Sequence, residues 1–207
     1  MAIEQAPYHQ VRLYVENGSI VCRYYEVPNA TAAIVWLGGV GGGFDSPAHD
    51  LFDRLAVEFL EKQVNSIRLR YREFNDLQTS VEDALVALEF LGQRGIHEAV
   101  IVGYSFGGAV AIQAGAAWPS VKAVVVLASQ SAGTSGANRI SPRPLLIVHG
   151  AQDSILPPEC STLIYERALE PKELVLLPGA GHCFDEVDTE LHKLLARWIG
   201  DKLRVAT

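Results

Sequence analysis

The feature that most constrains this chain is the hexapeptide 103–108, which reads Gly-Tyr-Ser-Phe-Gly-Gly. An apolar, β-branched run at 99–102 precedes it and predicts a buried strand, whereas the small-residue run 109–114 that follows predicts a helix. A G-x-S-x-G pattern between a strand and a helix predicts a sharp, strained turn with the Ser105 hydroxyl at its apex. A side chain two positions before or after this serine would collide with the turn. The helix N-terminus then points its N–H groups at whatever the hydroxyl attacks.

Composition predicts one folded domain, residues 1–207, that works in a reducing compartment. Hydrophobic residues make up 49% of the chain and charged residues 20%, as in globular proteins. The net charge is -7 and the only basic cluster is Arg68, Arg70 and Arg72, which argues against a nucleic-acid partner. Three scattered cysteines are too few for a disulfide framework. Met1–Gln10 lacks the features of a signal peptide, and no apolar run is long enough to span a membrane. We therefore expect a cytoplasmic protein without a membrane partner. The sequence does not distinguish a monomer from a homodimer.

Periodicity along the chain predicts a hairpin followed by repeated strand–helix units. The β-rich runs 11–15 and 19–27 meet at the Asn-Gly pair 17–18, where we expect a tight turn with positive φ at both residues. The later strands are apolar on both faces and alternate with amphipathic helices. We expect one of these helices to begin at Pro47 and another to be capped by Ser80. The pattern favours an α/β fold with a mostly parallel, twisted sheet covered by helices on both faces.

A base and an acidic partner for Ser105 can be sought in the loops that follow strands. A serine hydroxyl is a good nucleophile only when a base takes its proton and an acceptor orients that base. In an open parallel sheet such groups meet at the carboxyl ends of the strands. Asp153 follows the apolar strand 145–148, and His182 follows the strand 173–177. The chain order Ser105, Asp153, His182 is the order expected of this architecture, so we predict that these three residues are catalytic.

Other polar residues near these loops have alternative interpretations. Asp185 and Glu186 stand just after His182 and are alternative acceptors for it, although their position predicts that they cap the last helix. His149 is expected to be a structural residue of the loop that carries the acid rather than a second base. No His, Cys or carboxylate cluster has metal-ligand spacing, so we expect no metal site.

Together these segments resemble the α/β-hydrolase superfamily, and the resemblance covers nearly the whole chain. Segment 103–108 resembles the nucleophile elbow, His-Gly-Ala-Gln-Asp at 149–153 the acid loop, and Gly-Ala-Gly-His at 179–182 the histidine loop. The pattern is most similar to the small branch that holds esterases, thioesterases, dienelactone-hydrolase-like enzymes and serine peptidase domains. The nucleophile is Ser105 and not cysteine, which departs from dienelactone hydrolases proper.

The resemblance implies an oxyanion hole made of two backbone N–H groups. The first belongs to Phe106, the residue after the nucleophile. The second comes from the loop after the third strand, where 37–41 resembles an L-H-G-x-G segment with Gly38 at the position of the histidine. This alignment assigns the second donor to Val40. Gly41 is the alternative, because the run of glycines permits a shift of one residue.

Residues in the variable segments near these motifs are candidates for the substrate pocket. They are Phe44, Tyr104, Arg72 and Phe74. Arg72 also resembles the arginine of the family's R-G-x-G turn, which has a structural role, but the three residues after it depart from that turn.

A dinucleotide-phosphate loop is an alternative interpretation of the glycine run 38–43, with Arg70 or Arg72 as the partner of a 2′-phosphate. The spacing argues against it, since the third glycine position holds Phe44 and no P-loop lysine follows. We therefore expect no cofactor.

The segment between the strands that end near Ala128 and begin near Leu145 is too short for a lid domain. We therefore expect an open site and a hydrolase that cleaves a small-molecule carboxylic ester or thioester with a small or exposed acyl group. Two alternatives stay open. One is a binding or sensor protein on the same fold with little turnover. The other is a serine exopeptidase-like amidase, whose usual extra domains 207 residues cannot hold.

Overall fold

Eight β-strands and five α-helices make up the described part of the chain, residues 6–205 of a computed structural model. The strands are β1 His9–Val15, β2 Gly18–Tyr25, β3 Ala32–Leu37, β4 Val64–Arg70, β5 Glu98–Tyr104, β6 Val121–Leu127, β7 Leu145–Gly150 and β8 Lys172–Leu177. The α-helices are α1 Pro47–Glu61, α2 Leu77–Gly92, α3 Phe106–Ala117, α4 Glu159–Arg167 and α5 Asp188–Leu203. No helix within these residues is long and apolar enough to cross a membrane.

The strands form one mixed sheet in the order β1-β2-β4-β3-β5-β6-β7-β8. The pairs β1–β2 and β2–β4 are antiparallel and all other pairs are parallel, which confirms the predicted mostly parallel sheet with an N-terminal hairpin. The hairpin turn lies one residue earlier than predicted. Val15 pairs with Gly18, so Glu16 and Asn17 form the turn, and of the two predicted turn residues only Gly18 has a positive φ, at 124°.

Two apolar layers cover the faces of the sheet because the strands are buried on both sides. In β3, Val35 packs into the layer that contains α2 and α3, and its neighbour Trp36 packs into the layer that contains α1 and α5. Successive side chains of a strand point to opposite faces, so a continuous apolar strand serves both layers. This confirms the prediction of helices on both faces.

The turn between β5 and α3 holds Ser105 in a strained backbone conformation, with φ 54° and ψ −118°. A Cβ on Gly103 would lie 2.1 Å from the carbonyl oxygen of Gly107. A Cβ on Gly107 would lie 2.3 Å from the carbonyl oxygen of Gly38 at the end of β3. Both glycines are therefore required by close backbone contacts, as the sequence predicted. The Ser105 N–H also donates to the Leu127 carbonyl (2.8 Å), which ties the turn to β6.

Two helix starts differ from the sequence prediction. After Pro47, residues 48–50 have φ values between 48° and 60°, so they form a left-handed turn and regular helix begins only after it. The Ser46 hydroxyl accepts a hydrogen bond from the Phe52 N–H at 2.9 Å, at the start of the regular helix. In α2 the cap is Asp76, which accepts from the Thr79 N–H (2.7 Å), and the predicted cap Ser80 lies buried within the helix.

The segment between β6 and β7 forms no lid, as predicted from its length. Its regular structure is one 3₁₀ turn, Ser135–Arg139. The Gln113 amide of α3 donates to the Gly133 carbonyl (2.8 Å), and the Arg167 guanidinium of α4 donates to the Ser131 carbonyl (2.9 Å). These bonds hold the segment against α3 and α4.

The close packing at the elbow predicts a strong effect of one methyl group. Gly103→Ala places a Cβ within 2.1 Å of a backbone oxygen. We expect a loss of about 1–3 kcal/mol of unfolding free energy, the usual cost of overpacking, and hence a Tm lower by about 3–10 °C for a chain of this size. Thermal unfolding followed by circular dichroism measures it. Gly92→Ala is the matched control, since nothing lies within 4 Å of its Cβ position, and it leaves Tm unchanged or slightly raised. Equal melting of Gly103→Ala and wild type would contradict the tight turn.

Candidate active site

Three side chains from separate strand ends form one hydrogen-bonded chain. Ser105 follows β5, Asp153 follows β7 and His182 follows β8. The Ser105 hydroxyl oxygen lies 3.1 Å from His182 Nε2, and His182 Nδ1 lies 2.7 Å from Asp153 Oδ2. An ionised carboxylate only accepts hydrogen bonds, so Nδ1–H donates to Asp153 and Nε2 is left to accept from the serine. The structure thus brings together the three residues that the sequence singled out, in the order nucleophile, base, acid.

The Asp153 carboxylate is fully buried and saturated with hydrogen bonds. Its Oδ1 accepts from the backbone N–H groups of Ile155 (2.8 Å) and Leu156 (2.9 Å). Burial alone would raise the pKa of Asp153, but the hydrogen bonds from His182, Leu156 and Ile155 favour the charged form more strongly and lower this pKa below its usual range. The carboxylate is therefore ionised at neutral pH and can stabilise a protonated His182.

The alternative acceptors after His182 take other partners. Asp185 lies 3.8 Å from His49 in an exposed pair. Glu186 Oε2 accepts from the Gly181 N–H at 3.1 Å, so it braces the histidine loop without reaching the imidazole. The structure thus places Asp153, and neither of these two residues, at His182 Nδ1.

Backbone contacts between the acid loop and the histidine loop set the spacing of the two side chains. The Gln152 N–H donates to the Ala180 carbonyl at 2.9 Å. A Cβ on Gly150 would lie 2.4 Å from that same carbonyl oxygen, so the loops can approach only because residue 150 is glycine. The Ala48 N–H also donates to the Cys183 carbonyl (2.7 Å), which joins the left-handed turn of α1 to the histidine loop.

Tyr104, a pocket candidate, is a buried support behind the imidazole. Its ring centroid lies 5.3 Å from that of His182, and its hydroxyl donates to Cys183 Sγ at 3.7 Å. Burial is the main reason why the pKa of Tyr104 is raised far above its usual range, with the Cys183 contact adding to it. Tyr104 therefore stays neutral and fixes one face of His182.

The loop after β3 is shaped by a carboxylate that the sequence did not single out. Asp45 Oδ2 accepts from the Gly39 N–H at 2.6 Å. A Cβ on Gly38 would lie 2.7 Å from Asp45 Oδ1, so the carboxylate fills the space where the family pattern has a histidine side chain. Tyr71 braces the same loop, since its hydroxyl donates to the Gly38 carbonyl (3.3 Å) and its N–H to the Gly42 carbonyl (2.9 Å). In the sequence, only the glycine at position 38, where the family pattern has histidine, indicated that another side chain such as Asp45 would fill this space.

The predicted oxyanion donors lie on this loop and at the start of α3. A Cβ on Gly39 would lie 3.6 Å from Ser105 Cβ, so the loop runs directly beside the serine. The Gly39 N–H is already taken by Asp45, which leaves Val40 and Gly41 as the next N–H groups along the loop. Phe106 is the first residue of α3, so its N–H has no acceptor within the helix. The choice between Val40 and Gly41 stays a prediction.

Of the remaining pocket candidates, one lies against the loop after β3 and two contact other side chains of the fold. Phe74 is 59% exposed and its ring lies against Gly42, within 2.2 Å of the Cβ position of that glycine. Phe44 packs its ring 4.3 Å from the Arg23 guanidinium carbon, so its face is occupied. Arg72 is bonded through its N–H (2.8 Å) and its guanidinium to Asp83, which confines it to a structural role beside α2. Phe44 and Arg72 therefore have partners within the fold, and their role in a substrate pocket stays a prediction.

A second histidine, His149, lies at the site. From the sequence we expected it to be a structural residue of the acid loop. His149 lies within β7, is fully buried, and has its Nε2 3.1 Å from Asp153 Oδ2.

Among residues 6–205 no group of three His, Cys, Asp or Glu side chains could hold a metal ion.

The fold and this geometry define the class of the protein as an α/β-hydrolase. Structures with the same fold include Est1E from Butyrivibrio proteoclasticus (TM-score 0.82, 14% identity, 94% of this chain and 99% of that one). Another is dienelactone hydrolase from Anabaena variabilis ATCC 29413 (TM-score 0.79, 19% identity, covering 94% of this chain and 98% of that one). The uncharacterized protein YfhR of Escherichia coli (strain K12) is 44% identical over 43 residues, 21% of this chain and only 15% of that protein.

The family follows from a broader match. The model of the dienelactone hydrolase family matches residues 42–197, well over half of the chain. The chain belongs to this family of α/β-hydrolases.

The lowered pKa of Asp153 predicts how Asp153→Asn changes stability with pH. The unfolded carboxyl titrates near pH 3.9 and the folded one below its usual range. The stabilisation is therefore complete above about pH 4 and is lost as pH falls through the folded pKa. We expect the unfolding free energy of wild type minus that of Asp153→Asn to shrink as pH falls from 4.5 toward 3. Urea unfolding at a series of pH values measures it, and a difference that stays constant or grows on acidification would contradict the geometry.

Proposed function

We propose that this protein is a serine hydrolase that cleaves carboxylic esters or thioesters through an acyl-enzyme on Ser105. The observation that carries the proposal is the continuous chain Ser105–His182–Asp153, with distances of 3.1 and 2.7 Å. Membership of the dienelactone hydrolase family supports the same bond class. The strained backbone of Ser105 at the head of α3 supports its role as the nucleophile.

In the acylation step, His182 Nε2 takes the Ser105 proton while the hydroxyl oxygen attacks the carbonyl carbon of the ester. The oxyanion that forms accepts hydrogen bonds from the N–H groups of Phe106 and Val40. The tetrahedral intermediate collapses when the bond to the leaving oxygen or sulfur breaks, and His182 returns the proton to that atom. Ionised Asp153 stabilises the imidazolium in between and holds its orientation.

In the deacylation step, water attacks the acyl carbon and His182 takes a proton from it. The second tetrahedral intermediate collapses with Ser105 as the leaving group, and His182 reprotonates the serine oxygen. The products are a carboxylic acid and free enzyme, so the cycle needs no cofactor or metal.

The absence of a lid between β6 and β7 supports a preference for small or exposed acyl groups. The segment that would carry a lid is held against α3 and α4 instead. Two exposed apolar side chains, Val40 at 53% and Phe74 at 59%, lie on or against the loop beside Ser105. We propose that they contact a small apolar part of the substrate at an open surface. We propose that the substrate is a small-molecule ester or thioester and that the protein works in the cytoplasm. We propose no nucleic-acid or membrane partner.

Turnover of p-nitrophenyl acetate tests the proposed function. We expect wild type to hydrolyse it and Ser105→Ala to lose about six orders of magnitude in kcat, as when a triad nucleophile is removed. Ser120→Ala, before β6 and at the opposite end of the strands, is the matched control and should keep full activity.

Two outcomes would contradict the proposal. Equal activity of Ser105→Ala and wild type would mean that another group is the nucleophile. No turnover by wild type on a panel of esters and thioesters would favour the binding or sensor alternative, and cleavage of amino-acid amides alone would favour the exopeptidase alternative.

Proline substitution separates the two candidates for the second oxyanion donor, because proline has no N–H. If Val40 is the donor, Val40→Pro lowers kcat by about 100- to 1000-fold, the usual effect of losing one donor, whereas Gly41→Pro keeps most activity. The reverse pattern assigns the donor to Gly41. Steady-state kinetics with p-nitrophenyl acetate, with circular dichroism as the check on folding, measures both. Full activity in both variants would contradict a donor on this loop.

A further inference from the structure

A tight turn, residues 39–42, forms the part of the loop after β3 that lies beside Ser105. The Gly42 N–H donates to the Gly39 carbonyl at 3.2 Å, which closes the turn, and Gly42 has a positive φ of 64°. A Cβ on Gly39 would lie 3.6 Å from Ser105 Cβ, so the turn begins directly against the serine. Its two central residues, Val40 and Gly41, are the two candidates for the second oxyanion donor.

The N–H groups of these two central residues remain available, because the other polar groups of the turn have partners. The Gly39 N–H donates to Asp45 Oδ2 at 2.6 Å, and the Gly42 carbonyl accepts from the Tyr71 N–H at 2.9 Å. Within residues 6–205, neither the Val40 N–H nor the Gly41 N–H donates to a protein acceptor. The hydrogen bonds at the ends of the turn thus leave its central donors for a ligand.

The Asp45 side chain fixes the point at which the chain enters this turn. Its Oδ2 holds the Gly39 N–H, and its Oδ1 lies 2.7 Å from the Cβ position of Gly38. The peptide unit between these two glycines is planar, so a hydrogen bond to its N–H sets the orientation of the whole unit. Four of the five residues 38–42 are glycine, which has the widest backbone freedom. A segment of this composition needs an outside contact to keep its donors in one direction.

The backbone of Asp45 is in turn anchored to the core. The Arg68 guanidinium, only 1% exposed, donates to the carbonyl of Phe44 and to the carbonyl of Asp45, the latter at 3.4 Å. The charge of Arg68 is balanced by an ion pair with Asp53 on α1. The Asp45 carboxylate therefore reaches the turn from a backbone position that is itself held by a buried side chain.

We propose that Asp45 is a positioning residue of the oxyanion hole. By accepting the Gly39 N–H it holds the turn 39–42 so that a central N–H group faces the oxyanion formed at Ser105. This inference rests on the proposed serine-hydrolase function, and it applies whether Val40 or Gly41 is the donor.

The task assigned to Asp45 requires a hydrogen-bond acceptor and not a negative charge. Asp45 Oδ1 is buried and has no hydrogen-bond partner in the described part of the chain. Arg68 contacts only the backbone carbonyl of Asp45, and its own charge is paired with Asp53. A negative charge near the turn opposes the charge that develops on the oxyanion. An uncharged acceptor of the same shape should therefore support the turn at least as well.

Two substitutions of similar shape separate these properties, with p-nitrophenyl acetate as substrate and each variant normalised to active sites titrated with a fluorophosphonate. Asp45→Asn keeps an oxygen acceptor for the Gly39 N–H and removes the charge. We expect its kcat to equal that of wild type or to exceed it by up to about threefold. Asp45→Leu has no acceptor, and we expect kcat to fall about 10- to 100-fold, part of the effect of losing a whole donor, with KM changed by less than about threefold.

A trifluoromethyl ketone supplies a readout specific for the oxyanion, because it adds to the serine and forms a stable tetrahedral oxyanion. Its Ki should rise in Asp45→Leu by about the factor by which kcat/KM falls, and it should stay near the wild-type value in Asp45→Asn. Asp201→Ala removes an exposed carboxylate of α5 and is the matched control. It should leave kcat, KM and Ki unchanged.

The outcomes separate this inference from the proposed function. A purely structural role for Asp45 would lower the Tm of Asp45→Leu but leave kcat per titrated site and Ki as in wild type, which would overturn the inference alone. Asp45→Asn as impaired as Asp45→Leu would also overturn it, because an acceptor at that position would then not be sufficient. If Asp45→Leu does not fold, Asp45→Ala takes its place, and wild-type kinetics in that variant overturn the inference. A wild type without activity on esters or thioesters overturns both.

Discussion

The site depends on one close backbone contact, between the end of β3 and the turn that carries Ser105. Gly107 lies so near the Gly38 carbonyl that a Cβ there would be 2.3 Å from its oxygen. This contact places the loop after β3 beside Ser105, and α3 begins immediately after that residue. A strained serine at φ 54° costs stability, and burial of β5 and α3 between two apolar layers offsets that cost. The geometry of the candidate site therefore depends on how tightly the central strands and α3 pack.

Asp153 and His182 are held by a second set of contacts that does not involve Ser105. Gly150 lets the acid loop approach the Ala180 carbonyl, and Asp153 is then surrounded by donors on both oxygens. A buried charge is tolerated only when it is fully hydrogen-bonded, so the residues that satisfy Asp153 also decide where it points.

The sequence allowed the sheet, the hairpin and the three strand-end residues to be predicted, because each depends on local patterns: apolar runs, glycines at a turn, polar residues after a strand. Prediction failed where the hydrogen-bond partner of a residue comes from a distant or irregular segment. The partner of Arg72, the Asp83 carboxylate on α2, was not predicted. Asp45 was missed because its contact with Gly39 depends on the path of a loop without a repeating pattern. The cap of α2 was misassigned because Ser80 is buried by tertiary packing that overrides its local preference.

The role of Ser105 is tested by finding the residue that reacts with a fluorophosphonate. The labelled protein is digested with trypsin and the modified peptide sequenced by mass spectrometry. Cleavage after Arg94 and Lys122 gives one peptide, residues 95–122, that contains both Ser105 and Ser120. We expect one phosphonyl group per chain, on Ser105, and none on Ser120. A label on another residue, or no label on folded protein, would contradict it.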